Sequence, residues 1–302
     1  MALLVVGSVG LDRVETPYGS TQEELGGAAV YFALAACHFA PVRLVGVVGQ
    51  DFPADCMERL ARQPIDLTGL HRAQGRTFRW HGTYAGRMNE ARTLDVQMNV
   101  LGSCRPEVPA TFADSGYVFL ANAPPDSHIR ALSQLDGPTF VMADTMNYYI
   151  ENERDGLLDV LRRVDAMVLN DAEAIQLSGR PNLLAAARWV CDHGPTYCIV
   201  KKGEHGSLLR GPEGAFVLPG FPHETVVDPT GAGDSFAGGL MGYLASRPAV
   251  DLPALKLGLA YGTITASFAI EQFGPKGLEE LTTQAIEERL AQFVASTHLF
   301  AR

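Results

Sequence analysis

The stretch Asp228-Pro-Thr-Gly-Ala-Gly-Asp-Ser-Phe-Ala-Gly-Gly-Leu240 (DPTGAGDSFAGGL) places permissive backbone and one carboxylate directly before an apolar helical pattern. Apolar residues recur at helical spacing from Phe236 onward, so we expect a helix that begins near Ala232 or Gly233. The first N–H groups of a helix have no intrahelical partner, and together with the helix dipole they favour an anion. Because Gly231 and Gly233 carry no side chain, a phosphate could approach this backbone closely.

Asp234 stands in the first turn of this helix, where a carboxylate would repel an anion. It is better explained as a base that takes a proton from an attacking hydroxyl, while the amides of Gly231, Ala232 and Gly233 hold the phosphoryl charge. The segment therefore predicts phosphoryl transfer to an alcohol, with Asp234 as the catalytic residue and these amides as an anion hole. Considered alone, it is also compatible with an ordinary glycine-rich turn in which Asp234 only starts the helix.

Composition limits the class of protein. The chain has 302 residues, 47% of them hydrophobic, and a formal net charge of −10, which argues against a partner nucleic acid bound through basic patches. The N-terminus lacks a signal-peptide pattern and no apolar run is long enough to span a membrane, so we expect a cytoplasmic protein without a membrane partner. The five cysteines are scattered without a CxxC pair, which disfavours disulfides and structural zinc.

Short apolar strands alternate with helical patterns along most of the chain, which predicts βαβ units and a largely parallel sheet. The expected strands are Ala2–Val6, Val42–Val48, Tyr117–Ala121, Thr139–Ala143, Ala166–Leu169 and Tyr197–Lys201, followed by a hairpin of Ser207–Arg210 and Ala215–Leu218. The expected helices are 26–40, 53–62, 126–135, 153–163, 171–178, 182–193, 232–246, 252–271 and 282–295.

Two segments differ from this pattern. Thr77–Ala85 and Thr93–Leu101 alternate partly between apolar and polar residues, which is typical of strands with one wet face. We therefore expect one domain over 1–302 with a small antiparallel lid built from insertions at about 13–25 and 72–104. Such a lid could cover a substrate, and its exposed residues could equally form the seam of a homodimer.

The DPTGAGDSFAGGL stretch resembles the C-terminal signature of the PfkB (ribokinase-like) family of carbohydrate and nucleoside kinases. Further motifs agree in order and spacing, over about residues 3–295. They are GSVGLD (7–12), ELGGAA (24–29), LVGVVGQDFP (44–53), LNDAEA (169–174) and VKKGEHG (200–206). The resemblance implies a ribokinase-like three-layer α/β sandwich with a mostly parallel central sheet and a small β-sheet lid.

The same resemblance implies a nucleotide site for ATP. Its nucleotide-binding residues would be Asn170, Lys202, Gly203, Gly206 and Gly262, although Lys201 and Lys202 stand in a row and either could reach phosphates. Glu173 would organise Mg²⁺ through water, in keeping with the preference of this cation for oxygen ligands and retained waters. Asn170 also fits a helix N-cap. A K⁺ ion near Asp228 and Thr230 is a further expectation.

On the substrate side, the resemblance implies binding through Asp12, Gly26 and Gly27. Tyr31, Asn122 and Asp144 are further candidates, and Asp144 is one because it follows a strand at the carboxyl edge, where open α/β sheets bind ligands. The chain departs from ribokinases here. Gly10 and Tyr31 replace common asparagines, Ala28 replaces a residue that is often polar, and Asn122 replaces an acid. Tyr31 could therefore contact a bulkier acceptor such as a nucleobase, or it could simply fill the core.

The predicted function is ATP-dependent phosphotransfer to a hydroxyl group of a sugar or sugar-like small molecule, and an adenosine- or cytidine-like nucleoside kinase is the alternative. Two other classes compete with a kinase. One is a non-catalytic nucleotide or sugar sensor, which the intact Asp234 disfavours. The other is a Rossmann-type dehydrogenase, whose GxGxxG fingerprint is missing after the first strand.

Overall fold

The computed structural model describes residues 1–86 and 88–297, and the statements below refer to these residues. They contain fourteen strands, numbered in chain order: β1 (Leu3–Val6), β2 (Gly10–Thr16), β3 (Gly19–Ser20), β4 (Glu24–Gly26), β5 (Val42–Val48), β6 (Ile65–Arg72), β7 (Phe78–Tyr84), β8 (Ala91–Gln97), β9 (Tyr117–Leu120), β10 (Phe140–Ala143), β11 (Ala166–Asn170), β12 (Tyr197–Lys201), β13 (Ser207–Gly211) and β14 (Gly214–Leu218).

Twelve α-helices surround the sheets: α1 (Ala28–Ala36), α2 (Ala54–Ala61), α3 (Asn99–Ser103), α4 (Pro125–Leu132), α5 (Asn147–Asn152), α6 (Arg154–Leu161), α7 (Asp171–Ser178), α8 (Leu183–Asp192), α9 (Ala232–Ala245), α10 (Leu252–Ala269), α11 (Lys276–Glu279) and α12 (Thr283–Thr297). No described helix has the length and hydropathy needed to cross a membrane.

The nine-stranded main sheet has the order β14-β13-β12-β11-β10-β9-β1-β5-β6. Its strands are parallel from β12 to β6, and only the hairpin β13–β14 runs antiparallel. Helices cover both faces, which explains why the inner strands are continuous apolar runs. The largely parallel sheet predicted from the sequence is therefore confirmed.

The two faces of β1 show how the layers are built. Leu3 and Val5 belong to a core that includes residues of α1, α9, α10 and α12. Leu4 and Val6 belong to a second core that includes residues of α4, α6, α7 and α8. Successive side chains of a strand point to opposite faces, so one fully buried strand supplies both cores. The result is a three-layer sandwich.

The lid is a second sheet with the order β3-β2-β7-β8, in which β4 also pairs with β2. The expectation of an antiparallel lid was wrong in one respect, because β2 and β7 pair in parallel. The reason is topological. The chain leaves the carboxyl edge of the main sheet after β1 and again after β6, so β2 and β7 set out from the same edge in the same direction.

The borders of the lid also differ from the expectation. Ile65–Arg72, which was not predicted as a strand, forms the edge of the main sheet, and its half-polar pattern reflects that edge position. The predicted strand Thr93–Leu101 is wrong in its second half, since β8 ends at Gln97 and the chain turns into α3 at Asn99, whose φ is +46°. Strand β8 is exposed at the lid edge, and the homodimer through the lid stays a prediction.

Candidate active site

The helix predicted from the glycine-rich stretch is α9, and its N-terminus forms one wall of the candidate site. Gly231 precedes it with φ +73°, a conformation that favours glycine, and Ala232 is its first residue. The amide of Ala232 already donates to the carbonyl of Pro229 (3.2 Å). Of the three amides predicted for the anion hole, those of Gly231 and Gly233 are therefore the better candidates.

Tyr31 lies directly beneath this turn. A Cβ atom on Gly231 would stand 2.2 Å from Cγ of the Tyr31 ring, so the turn that precedes α9 rests on the aromatic face. Tyr31 is 1% exposed, which favours the interpretation as a core residue. Its hydroxyl is nevertheless buried without a hydrogen-bond partner. Burial and the nearby Asp12 raise the pKa of this hydroxyl, so it stays protonated and can donate to an acceptor.

An acid cluster, defined here as Asp144, Glu173 and Asp234, surrounds the ammonium group of Lys201. Nζ of Lys201 donates to Oδ2 of Asp144 at 2.9 Å, with both side chains largely buried. The four residues come from different elements that meet at the carboxyl edge of the main sheet. Asp144 follows β10, Lys201 ends β12, Glu173 lies in the first turn of α7, and Asp234 lies in the first turn of α9. Open α/β sheets bind their ligands at this edge.

The cluster changes the acidity of the predicted base. Burial, reinforced by the carboxylate of Asp144, raises the pKa of Asp234 from 3.8 to about 7, although Lys201 lowers it in part. Burial and Asp144 also raise the pKa of Glu173. A carboxyl group with a pKa near 7 can accept a proton at neutral pH far better than an ordinary aspartate, which is what general base catalysis requires.

Asn170 and Glu173 form a capping box at the start of α7. Oδ1 of Asn170 accepts from the amide of Glu173 (2.7 Å), and Oε2 of Glu173 accepts from the amide of Asn170 (2.8 Å). The N-cap expected for Asn170 is thus present. The box also fixes the Glu173 carboxylate beside Asp144. No group of three His, Cys, Asp or Glu side chains in the described ranges is arranged to hold a metal ion.

Asp12, Gly26 and Gly27, which are predicted to bind the substrate, lie close together in the structure. Asp12 is 5% exposed, and burial raises its pKa to about 7 while the Gly27 amide lowers it. A Cβ atom on Gly26 would lie 2.0 Å from Oδ2 of Asp12, and Gly27 adopts φ +97° over the carbonyl of Ser8. Both glycines are therefore required by the close approach of backbone and carboxylate.

The other two predicted substrate residues, Asn122 and Asp144, follow the neighbouring parallel strands β9 and β10 but differ in their hydrogen bonds. Asn122 lies just beyond β9, and its Oδ1 atom is buried without a hydrogen-bond partner. Asp144 instead binds Lys201 and accepts from the amide of Thr145 (2.7 Å). Asp144 therefore belongs to the acid cluster, and its contact with the acceptor stays a prediction.

The predicted nucleotide loop is a short 3-10 turn at Gly203–His205 between β12 and β13. Gly203 and Gly206 have φ of +52° and +81°, which only glycine adopts readily. The amide of Lys202 donates to the carbonyl of Gly206 (2.8 Å) and closes the turn. Lys201, rather than Lys202, enters the acid cluster, while the nucleotide contact of Lys202 stays a prediction.

Gly262 has a packing role in the structure, and its predicted contact with the nucleotide stays a prediction. It lies in α10, and a Cβ atom there would stand 2.5 Å from the carbonyl oxygen of Phe236 in α9. The missing side chain lets α9 and α10 approach each other closely.

Sequence reasoning missed the contacts between the lid and the site. Asn89, in the turn between β7 and β8, donates to Oε1 of Glu204 in the nucleotide loop (3.0 Å). Thr230, directly before Gly231, donates to the hydroxyl of Tyr84 on β7 (3.4 Å). Asp228 is also buried, and its two oxygens accept from the amides of Thr230 and Gly274 at 3.0 Å each. Aromatic residues on the lid strands were the only signal of such contacts in the sequence.

Comparison with known proteins gives a consistent picture. The sequence profile of the pfkB family carbohydrate kinases matches residues 2–280. Cytidine kinase of Thermococcus kodakarensis is 31% identical over 268 residues, which cover 85% of this chain and 93% of that protein.

Two solved structures share the fold. Burkholderia thailandensis nucleoside kinase in complex with inosine matches with a TM-score of 0.79 at 18% identity, covering 96% of this chain and 98% of that one. Fructokinase from Vibrio cholerae O395, solved with fructose, ADP and calcium ion, matches with a TM-score of 0.79 at 17% identity and the same coverage.

Proposed function

The chain belongs to the PfkB family of carbohydrate kinases, and on this premise we propose that it transfers the terminal phosphoryl group of ATP to a primary hydroxyl of a nucleoside. As a member of the family it is an ATP-dependent kinase with a ribokinase-like α/β fold. The observation that carries the proposal is Asp234, whose pKa is raised to about 7 beside the free backbone of Gly231 and Gly233. This arrangement matches a base next to an anion hole.

In the proposed reaction, Asp234 takes the proton of the acceptor hydroxyl. The hydroxyl oxygen then forms a bond to the terminal phosphorus, the bond from that phosphorus to the bridging oxygen breaks, and ADP leaves with the bond electrons. The amides of Gly231 and Gly233 stabilise the charge on the phosphoryl oxygens. Asp12, held by Gly26 and Gly27, accepts hydrogen bonds from acceptor hydroxyls.

The buried acidic corner at Glu173 suits a hard cation that keeps its waters, arrives with the nucleotide and favours the ionised carboxylate. Mg²⁺ bound there would neutralise charge on the phosphates during transfer. Asn170 would lie beside the phosphates, and Glu173 would hold the cation through water. For K⁺, the two oxygens of Asp228 already accept backbone amides, so this residue orders the loop by itself, and an effect of K⁺ remains a prediction.

Two observations favour a nucleoside over a free sugar. A cytidine kinase is 31% identical over most of the chain, and the polar positions that ribokinases use for a small pentose are changed at Gly10, Tyr31 and Asn122. The hydroxyl of Tyr31 and Oδ1 of Asn122 are buried without partners, so each can bind an acceptor group that enters the site. A free sugar stays the second candidate because Asp12, Gly26 and Gly27 form a site for sugar hydroxyls.

The test is a panel of acceptors with the purified protein, ATP and excess Mg²⁺, followed by ADP release and mass of the product. The panel contains cytidine, adenosine, inosine, ribose, fructose and 2-keto-3-deoxygluconate. We expect the highest kcat/KM with a ribonucleoside, cytidine first, and a product heavier by one phosphate. The Asp234→Asn variant gives the background of ATP hydrolysis. A sugar preferred over all nucleosides would overturn the choice of acceptor, and no transfer to any acceptor would overturn the kinase proposal.

A further inference from the structure

Lys201 is the only cation that the described residues bring into the acid cluster, and neither the proposed base nor the anion hole accounts for it. Its position is fixed by the sheet. Lys201 is the last residue of β12 and pairs in register with Asn170, the last residue of β11. Its ammonium group reaches Asp144 at 2.9 Å, with the lysine side chain 17% and the aspartate side chain 5% exposed.

The ammonium also lies against the N-terminus of α9. A Cβ atom on Gly233 would stand 2.9 Å from Nζ of Lys201. The positive end of the helix and a fixed positive charge therefore meet at one point, next to Asp234. Two positive groups placed side by side repel each other, so the arrangement is favourable only when negative charge lies between or beside them.

The three carboxylates of the cluster supply part of that negative charge. Burial lowers the pKa of Lys201, but Asp144, Glu173 and Asp234 outweigh it, so the pKa is raised and the ammonium stays charged. A role as a mere counter-ion of Asp144 uses one of the three donors of an ammonium group. The remaining donors can bind a phosphate oxygen while the bond to Asp144 is kept. Without this cation, the charged side chains of the cluster that a phosphate at the α9 N-terminus would meet are all acidic.

We infer that Lys201 binds the phosphoryl group in transit and that Asp144 is the positioning residue that holds its ammonium beside Gly233. The inference rests on the proposed function, since it assumes that ATP places its terminal phosphate at the α9 N-terminus. It makes a specific statement about nucleotide binding. Lys201 should contribute to the affinity for ATP. It should contribute hardly at all to the affinity for ADP, because ADP lacks the terminal phosphate.

The experiment measures the dissociation constants of ATP and ADP by calorimetry, at constant excess Mg²⁺ and without an acceptor. We compare the wild-type protein with Lys201→Met, Lys201→Arg and the double variant Lys201→Met/Asp144→Asn. Hydrogen bonds to charged groups predict that Lys201→Met weakens ATP about tenfold to a hundredfold. ADP should change less than about threefold, and Lys201→Arg should recover part of the loss.

The double variant separates the two roles of Lys201. It removes one positive and one negative charge together, so the net charge of the cluster and the stability of the fold are preserved even where Lys201→Met alone unfolds. A phosphate ligand predicts that the double variant still loses the preference for ATP. A counter-ion predicts that it binds ATP as the wild type does, and this result overturns the inference. Arg62→Met, at a 73% exposed side chain on the protein surface, controls for the loss of one positive charge.

The outcomes also separate this inference from the proposed function. If the wild type binds ATP and phosphorylates an acceptor while Lys201→Met keeps the wild-type ratio of ATP to ADP affinity, only the role of Lys201 is wrong. If the wild type binds neither nucleotide, the proposed function fails and the inference fails with it. Loss of ATP affinity with unchanged ADP affinity supports both.

Discussion

Replacing Asp234 by asparagine should make the protein more stable and nearly inactive at the same time. The folded protein raises the pKa of this carboxyl group from 3.8 to about 7, chiefly through burial and the nearby Asp144. The ionised carboxylate is therefore an unfavourable feature of the folded state. An asparagine of the same shape carries no charge, so the variant loses this cost together with the proposed base.

The magnitude follows from the difference between the two pKa values. At 1.36 kcal/mol per pH unit, it corresponds to roughly 4 kcal/mol. Asp234 is partly exposed, and solvent screening reduces the effect, so we expect the variant to gain about 2 kcal/mol at pH 8. For a chain of this size such a gain raises Tm by about 4 °C.

The sign of the pH dependence is also fixed. Below pH 3.8 the carboxyl group is protonated in the folded and the unfolded chain, and it costs the wild type nothing. As the pH rises from 3.8 through about 7, the unfolded chain loses this proton more readily, so the stability of the wild type falls relative to the variant. The advantage of Asp234→Asn should grow over this window and stay constant above it.

The assay combines urea unfolding at pH 5, 6, 7 and 8 with steady-state kinetics. Asp136→Asn, at an exposed turn position, serves as the control for stability and should show no such trend. Removal of a general base predicts a kcat lower by about 10² to 10⁴. For the wild type, kcat/KM for the acceptor should rise about tenfold per pH unit up to about pH 7. A variant that is less stable than the wild type at pH 8 would show that Asp234 is stabilised as an anion, and the reasoning about the base would be refuted.

Two further predictions concern the contact between Gly231 and the Tyr31 ring at the start of α9. Gly231→Ala adds a Cβ atom 2.2 Å from the Tyr31 ring at φ +73°. Strain and overpacking should therefore lower the free energy of unfolding by about 2–4 kcal/mol, which urea unfolding measures. A loss below about 0.5 kcal/mol would contradict this geometry. Tyr31→Phe removes a buried hydroxyl without a partner, so the unliganded protein should keep or gain stability while KM for the nucleoside rises; an unchanged KM would leave Tyr31 a pure core residue.

Local features of the site could be predicted from the sequence because neighbouring residues determine them. The start of α9 after Gly231 and the N-cap at Asn170 depend on residues a few positions away, whereas the role of Asp234 as the base stays a prediction. The choice between Lys201 and Lys202 depends on a distant part of the chain, because successive residues point to opposite faces of a strand. The pairing of β12 with β11 decides which lysine enters the cluster.

Contacts between distant segments were harder to predict for the same reason. The parallel pairing of β2 with β7 joins strands from two separate insertions. Asp144 was assigned to the acceptor because it follows a strand at the correct edge, but its partner Lys201 lies 57 residues away. The residues next to Asp144 and Lys201 in the sequence give no indication that these two side chains form an ion pair.

The division of β1 between two cores has a consequence for the geometry of the candidate site. The helix that carries Asp234 is anchored in one hydrophobic layer through Phe236 and Leu240, whereas the helix that carries Glu173 is anchored in the other through Ala174 and Leu177. The proposed base and the proposed cation-binding residue are thus held by cores on opposite faces of the main sheet. The distance between Asp234 and Glu173 depends on the packing of both cores. Substitutions that repack either core, far from any ligand, would therefore change that distance.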